Sequence, residues 1–91
     1  MKYYMQRINH IIHREEKDGF HILFDIKKNN LLILNSSANL IWDQCKKKAS
    51  AKDVETFIKE NFDKIIPENL AGVINETLDK LTQAGFLKII S

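Results

Sequence analysis

The 91 residues read as one small domain, 44% hydrophobic and 29% charged with three Gly and one Pro, a composition that excludes a low-complexity linker. Fourteen Lys and Arg against twelve Asp and Glu leave a net charge of +2, too slight to demand a polyanion partner. So short a chain cannot enclose a large active site, and the expected role is that of a module. No apolar run approaches the about 20 residues that cross a bilayer, so no membrane partner is expected. The first ten residues, MKYYMQRINH, lack the apolar core of a signal peptide, and the expectation is a cytoplasmic protein.

From Ile8 to Glu16 apolar and polar residues mix without helical spacing. Lys17-Asp18-Gly19 follows, carrying the Asp-Gly pair that favours a tight hairpin turn, so antiparallel strands are predicted on either side. In the second strand, Phe20 to Ile26, the residues Phe20, Ile22, Phe24 and Ile26 alternate with His21, Leu23 and Asp25, the period-2 pattern of a half-buried strand. Lys27 to Asn30 supplies the next turn and Leu31 to Leu34 a third strand. Asn35, Ser36 and Ser37 can each accept a hydrogen bond from a free helix N–H, so a helix can begin where that strand stops. Its apolar positions, Ala38, Ile41, Trp42 and Cys45, keep the i, i+3, i+4, i+7 spacing of one face. The helix is expected to reach about Lys47, where Lys46 to Lys48 set positive charge against the negative end of its dipole.

Ser50 with Asp53 resembles a capping box, and Val54, Phe57 and Ile58 form the stripe of a second helix ending near Asn61. Pro67 suits the first turn of a third helix whose stripe is Leu70, Val73, Ile74, Thr77, Leu78 and Leu81, with Gly85 placed to cap its end. Phe86 to Ile90 is expected to be a short extended tail. The predicted fold is α+β and winged helix-turn-helix-like: an N-terminal three-stranded antiparallel sheet, three helices and a short C-terminal strand.

Little in this pattern offers chemistry. Cys45 has no partner in the chain, which excludes a disulfide or a cysteine metal site and leaves it a small buried hydrophobe. His10 and His13 are an odd number of residues apart on a predicted strand, so they point to opposite faces and cannot share an ion. There is no Gly-rich phosphate loop and no Ser elbow, so neither an enzyme nor a cofactor is expected. Trp42 and Phe57 read as core aromatics. A winged helix often reads DNA with its third helix, but Glu68, Glu76 and Asp79 face the single Lys80 between residues 68 and 84, which disfavours nucleic acid.

The segments LLILNSSANLIWDQC, VETFIKENF and VINETLDKLTQAGFL resemble the PqqD family, the leader-peptide-binding modules also called RiPP recognition elements. The family pattern of a leucine-rich strand, Leu-Asn, Thr or Ser, Ala and an Ile-Trp pair falls on Leu34, Asn35, Ser37, Ala38, Ile41 and Trp42. The close Gly85-Phe86-Leu87 is similar to the family's ending, and the likeness spans roughly residues 8 to 90. The resemblance implies three strands packed beside three helices, with the leader of a precursor peptide adding a strand to the third strand's edge. That places leader contacts at Asn30, Leu31, Leu32, Ile33 and Leu34, and on the third helix at Ile74, Asn75, Leu78, Asp79, Leu81 and Thr82, with Leu78 and its neighbours on that helix as the opposite wall of the groove. The implied function is that of a non-catalytic adaptor, a peptide chaperone, and the implied partners are the leader and a modifying enzyme such as a radical SAM enzyme or a lasso-type leader protease and cyclase. The alternatives from other classes are a winged-helix transcription factor and a structural subunit of a larger enzyme.

Overall fold

The computed structural model describes residues 2–7, 9–62 and 68–90. These form β1 (Tyr3–Gln6), β2 (Ile11–Glu15), β3 (His21–Asp25), β4 (Asn30–Leu34), α1 (Ser36–Gln44), α2 (Ala51–Asn61), α3 (Leu70–Gln83) and β5 (Leu87–Ile90). The expected α+β order is present: an antiparallel sheet in the order β2-β3-β4, then three helices, then a short strand. No helix among the described residues is long and apolar enough to cross a membrane.

The hairpin between β2 and β3 turns through Asp18 and Gly19, both in the left-handed region at φ +65° and +79°. The Glu16 N–H closes it onto the Phe20 carbonyl at 2.7 Å. A Cβ at position 19 would lie 2.6 Å from the Ser36 hydroxyl, which itself donates to the Gly19 carbonyl, so only glycine fits both the backbone and the space. Between β3 and β4, the Asp25 carboxylate accepts the N–H groups of Lys27 and Lys28 at 3.0 and 3.1 Å and Asn29 turns left-handed. Those bonds explain how a carboxylate can sit buried at the end of β3.

The two faces of β3 are divided differently from what its apolar alternation implies. Leu23 is fully buried, whereas Phe20 and Ile26 are about half exposed. The helices cover the side carrying Leu23, Leu32 and Leu34, because the chain enters α1 directly from Leu34. The more apolar side, with Ile22 and Phe24, faces away from them. Burial here follows from which face meets the helices, and that is a tertiary fact.

A further departure is at the N-terminus. Tyr3–Gln6, to which the sequence assigned no element, pairs with β5 in a separate two-stranded antiparallel sheet, Tyr3 opposite Ile90 and Gln6 opposite Leu87. β1 also stops α1 early, at Gln44 rather than Lys47. The Gln6 side chain donates to the Trp42 carbonyl at 2.8 Å, and the Gln6 N–H to that of Cys45 at 2.8 Å, so carbonyls that would extend the helix are already engaged. Tyr4 and Ala49 exchange a second pair of backbone bonds across the same junction.

The helix boundaries otherwise follow local signals. The Asn35 side chain accepts the Ala38 N–H at 2.8 Å and starts α1. Ser50 and Asp53 form the full reciprocal capping box of α2, at 3.1 and 2.9 Å. Pro67, expected in the first turn of the third helix, lies outside the described residues. That helix ends in a Schellman motif: Phe86 N–H bonds the Leu81 carbonyl, Gly85 N–H bonds that of Thr82, and Gly85 takes φ +89°. The core beneath is Leu23, Leu34, Ile41, Trp42, Cys45, Val54, Leu70, Ile74, Leu78, Leu81, Phe86 and Leu87.

Candidate functional site

β4 is an edge strand, with β3 on one side and no strand on the other among the described residues. Which of its backbone groups are free follows from parity. The Glu16 N–H bonds the Phe20 carbonyl and the Ile26 N–H bonds that of His10, so the even-numbered residues of β3 direct their backbone groups toward β2. The odd ones, His21, Leu23 and Asp25, therefore serve their β4 partners Leu34, Leu32 and Asn30. That leaves the N–H and C=O groups of Leu31 and Ile33 directed outward at the open edge.

Alongside this edge runs a groove of about 270 Å³ between β4, α1 and α3. Leu32, Ile33 and Leu34 line it from the strand, Ala38 and Ile41 from α1, and Val73, Thr77, Lys80 and Leu81 from α3. Val73, Thr77 and Lys80 follow the i, i+4, i+7 spacing of one helical face. The lining is mostly apolar, with the Lys80 ammonium as its charged member.

The residues named for this site from the resemblance are distributed unevenly around it. Leu31, Leu32, Ile33 and Leu34 form the edge strand; Leu32 and Leu34 turn inward while the side chains of Leu31 and Ile33 point to the far face. The Asn30 side chain donates to the Ala84 carbonyl at 3.0 Å, fastening β4 to the end of α3. Ile74 and Leu78 are fully enclosed in the core, and of the buried residues named on α3 only Leu81 reaches the groove. Leu78 itself is thus enclosed, and on this side of α3 it is its neighbour Thr77, with Val73, that lines the groove. Asn75, Asp79 and Thr82 lie about half a turn around the helix from Val73 and Thr77. Asn75 donates to the Ala71 carbonyl and Thr82 to that of Leu78, both back onto their own helix. Asp79 is turned toward β1, where its charge helps hold the Tyr4 hydroxyl above its ordinary pKa, after the larger effect of burial. The helical stripe drawn from the sequence already held Val73 and Thr77; their polar or half-exposed neighbours were the signal that they bound the core on its open side.

Elsewhere among the described residues, the titratable groups gather into no reactive centre. Burial pushes the Cys45 thiol up to about 12, which keeps it protonated and inert. The imidazoles of His13 and His21 share a hydrogen bond at 2.9 Å across the β2–β3 hairpin, a pairing different from the His10 and His13 weighed on sequence. Among the described residues no three His, Cys, Asp or Glu side chains gather as a metal site would need.

Comparison with curated proteins finds no match. The family model described as Coenzyme PQQ synthesis protein D (PqqD) matches residues 21–87, from the first residue of β3 to the first of β5, and so takes in the edge strand, the groove and all three helices. The chain belongs to the PqqD family, the RiPP recognition elements, which are non-catalytic, peptide-binding partner proteins of ribosomal peptide modification.

Proposed function

We propose that the protein is an adaptor that binds the leader of a ribosomally synthesised precursor peptide by strand addition and presents the peptide to a modifying enzyme in the cytoplasm. The observation that carries this reading is the pairing of free backbone groups at Leu31 and Ile33 with an apolar groove directly beside them. An extended peptide can take sequence-tolerant hydrogen bonds from the edge and place alternate side chains in the groove against Val73, Thr77 and Leu81. The wall of that groove is thus Val73 and Thr77 in place of Leu78, while Asn75, Asp79 and Thr82 stand too far around α3 to meet the same strand. The modifying enzyme in this proposal is a radical SAM enzyme or a lasso-type leader protease with its cyclase.

A short peptide must be ordered on binding and buries a limited area, so the expected dissociation constant runs from about a micromolar to tens of nanomolar. Amide shift mapping with synthetic leader peptides tests the site. Shifts at Leu31 to Leu34 and at Val73 to Leu81 are expected. Shifts confined to the β2–β3 hairpin or to Lys46 to Lys48 would overturn the mechanism.

A further inference from the structure

The β2-β3-β4 sheet has a second face, turned away from the helices, which shares only Ile33 with the lining of the groove. Strand register sets Ile12, Phe24 and Leu31 in one row across it and Arg14, Ile22 and Ile33 in the next. Phe20 and Ile26 extend the same face at the two ends of β3. Ile12, Phe20, Ile26, Leu31 and Ile33 are 47%, 48%, 55%, 52% and 61% exposed. The one charged side chain in these rows, Arg14, is paired with Glu16 at 3.2 Å.

We infer that this face is a self-association surface, on which a second copy of the chain stacks sheet against sheet. At about 200 Å² for a fully exposed large side chain, the five half-exposed residues leave on the order of 500 Å² of apolar surface, at the upper end of what a monomer keeps open. Two such faces with the flanks of Ile22, Phe24 and Arg14 would cover about 1,200 Å², which reaches the size of a specific interface. A second copy supplies the same flat, apolar, β-branched surface, and two-fold stacking of sheets at about 10 Å separation sets it against itself around Ile22 and Phe24. Charge does not oppose the pairing. Each chain carries only +2, and the Arg14 guanidinium arrives already neutralised by its own Glu16. Apart from Ile33 the groove is lined from the helix side of the sheet, and the backbone edge of β4 remains uncovered, so a dimer joined this way holds two open peptide sites. The inference does not depend on what occupies those sites.

Sedimentation velocity on the full chain, at concentrations from about 1 to 300 µM, tests it against the affinity expected of an interface this small. The expected result is a particle that moves from 10.6 kDa toward twice that mass with rising concentration. Ile12→Lys, which touches neither the free edge nor the groove, and Phe24→Ser, opposite Leu31, should each raise the dimer dissociation constant at least about 30-fold, with unchanged far-UV circular dichroism as the check on folding. Ile12→Lys should still bind a leader peptide to within about threefold of the unmodified chain, so failure of self-association and failure of peptide binding are read separately. A particle that stays at 10.6 kDa across the range, or a dimer that both variants leave intact, overturns the inference.

Discussion

The indole of Trp42 meets the ring of Phe86 edge-on, with centroids 6.5 Å apart and planes at 87°. The contact joins the last turn of α1 to the residue that closes the Schellman motif of α3, and both rings are buried. Trp42→Ala should therefore cost about 3–5 kcal/mol, the range for emptying a large buried aromatic site, with some of the loss from the T-shaped pair itself. Urea unfolding followed by circular dichroism measures it. A change below about 1 kcal/mol would mean that the pair contributes little to holding α1 against α3.

Backbone parity gives adjacent residues of β4 opposite fates when each is replaced by proline. Ile33→Pro deletes an N–H that bonds nothing within the sheet, so the domain should stay folded while leader binding weakens at least about tenfold. Leu32→Pro deletes a bond to Leu23 and should cost about 3 kcal/mol of stability. Calorimetric titration alongside unfolding separates the two. A folded Ile33→Pro protein that binds leader as before would remove strand addition at this edge.

The wall of the groove can be tested by charge. Val73→Glu and Thr77→Glu place a carboxylate on the half-exposed lining and should weaken leader binding about tenfold or more with little loss of stability. Leu78→Glu buries an unpaired charge in the core and should prevent folding. Lys80→Ala, at the groove's charged rim, should matter less than either wall variant, and Asn75→Ala, on the far side of α3, should leave binding unchanged. An Asn75→Ala effect as large as that of Val73→Glu would place the peptide on the wrong side of the helix for this mechanism.

Alkaline pH should destabilise the domain through Cys45. In the unfolded chain the thiol ionises around 9.0, whereas in the folded chain burial holds it protonated to about 12. Unfolding therefore releases a proton in that window, so stability is full below about pH 9 and falls as pH rises toward 12. Tyr4 acts in the same direction, raised first by burial and then by Asp79 and Cys45. Denaturation midpoints across this range should decline less steeply in Cys45→Ala, with Tyr4 accounting for the remaining slope. Equal slopes in the two proteins would mean that the thiol reaches water in the folded state.

Specific DNA binding should be absent at physiological salt. Glu76 and Asp79 on α3, with Glu68 just before it, against Lys80 would set net negative charge before phosphates if the third helix entered a groove. Mobility-shift titration against random and genomic duplexes measures this. A salt-sensitive, sequence-dependent complex of sub-micromolar affinity would promote a transcription-factor role.

What the sequence disclosed was whatever a few neighbouring residues decide. Asp18-Gly19, Asn35, the Ser50–Asp53 box and Gly85 each satisfy or redirect backbone groups within a turn of themselves, and all of them mark real boundaries. β1 was hidden because its partners, β5 and the loop at Ala49, are far along the chain, so nothing near Tyr3 announces a strand. The orientation of β3 was hidden for a related reason: alternation separates two faces, and only the position of the helices says which one is inside. On α3, spacing alone placed Ile74 and Leu78 beside Val73 and Thr77. The roughly quarter-turn between those pairs, which separates core from groove, becomes visible only when β4 and α1 are in place.

Tyr3 opposite Ile90 brings the two ends of the described chain to neighbouring points on one short ribbon. A unit shaped this way enters and leaves through a single doorway. It can be carried in a surface loop of another protein, or fused at either end, without parting any strand of the β2-β3-β4 sheet. The same proximity makes circular permutation feasible: a short linker between β5 and β1 would let the chain be opened elsewhere, while the β4 edge and its groove keep their geometry.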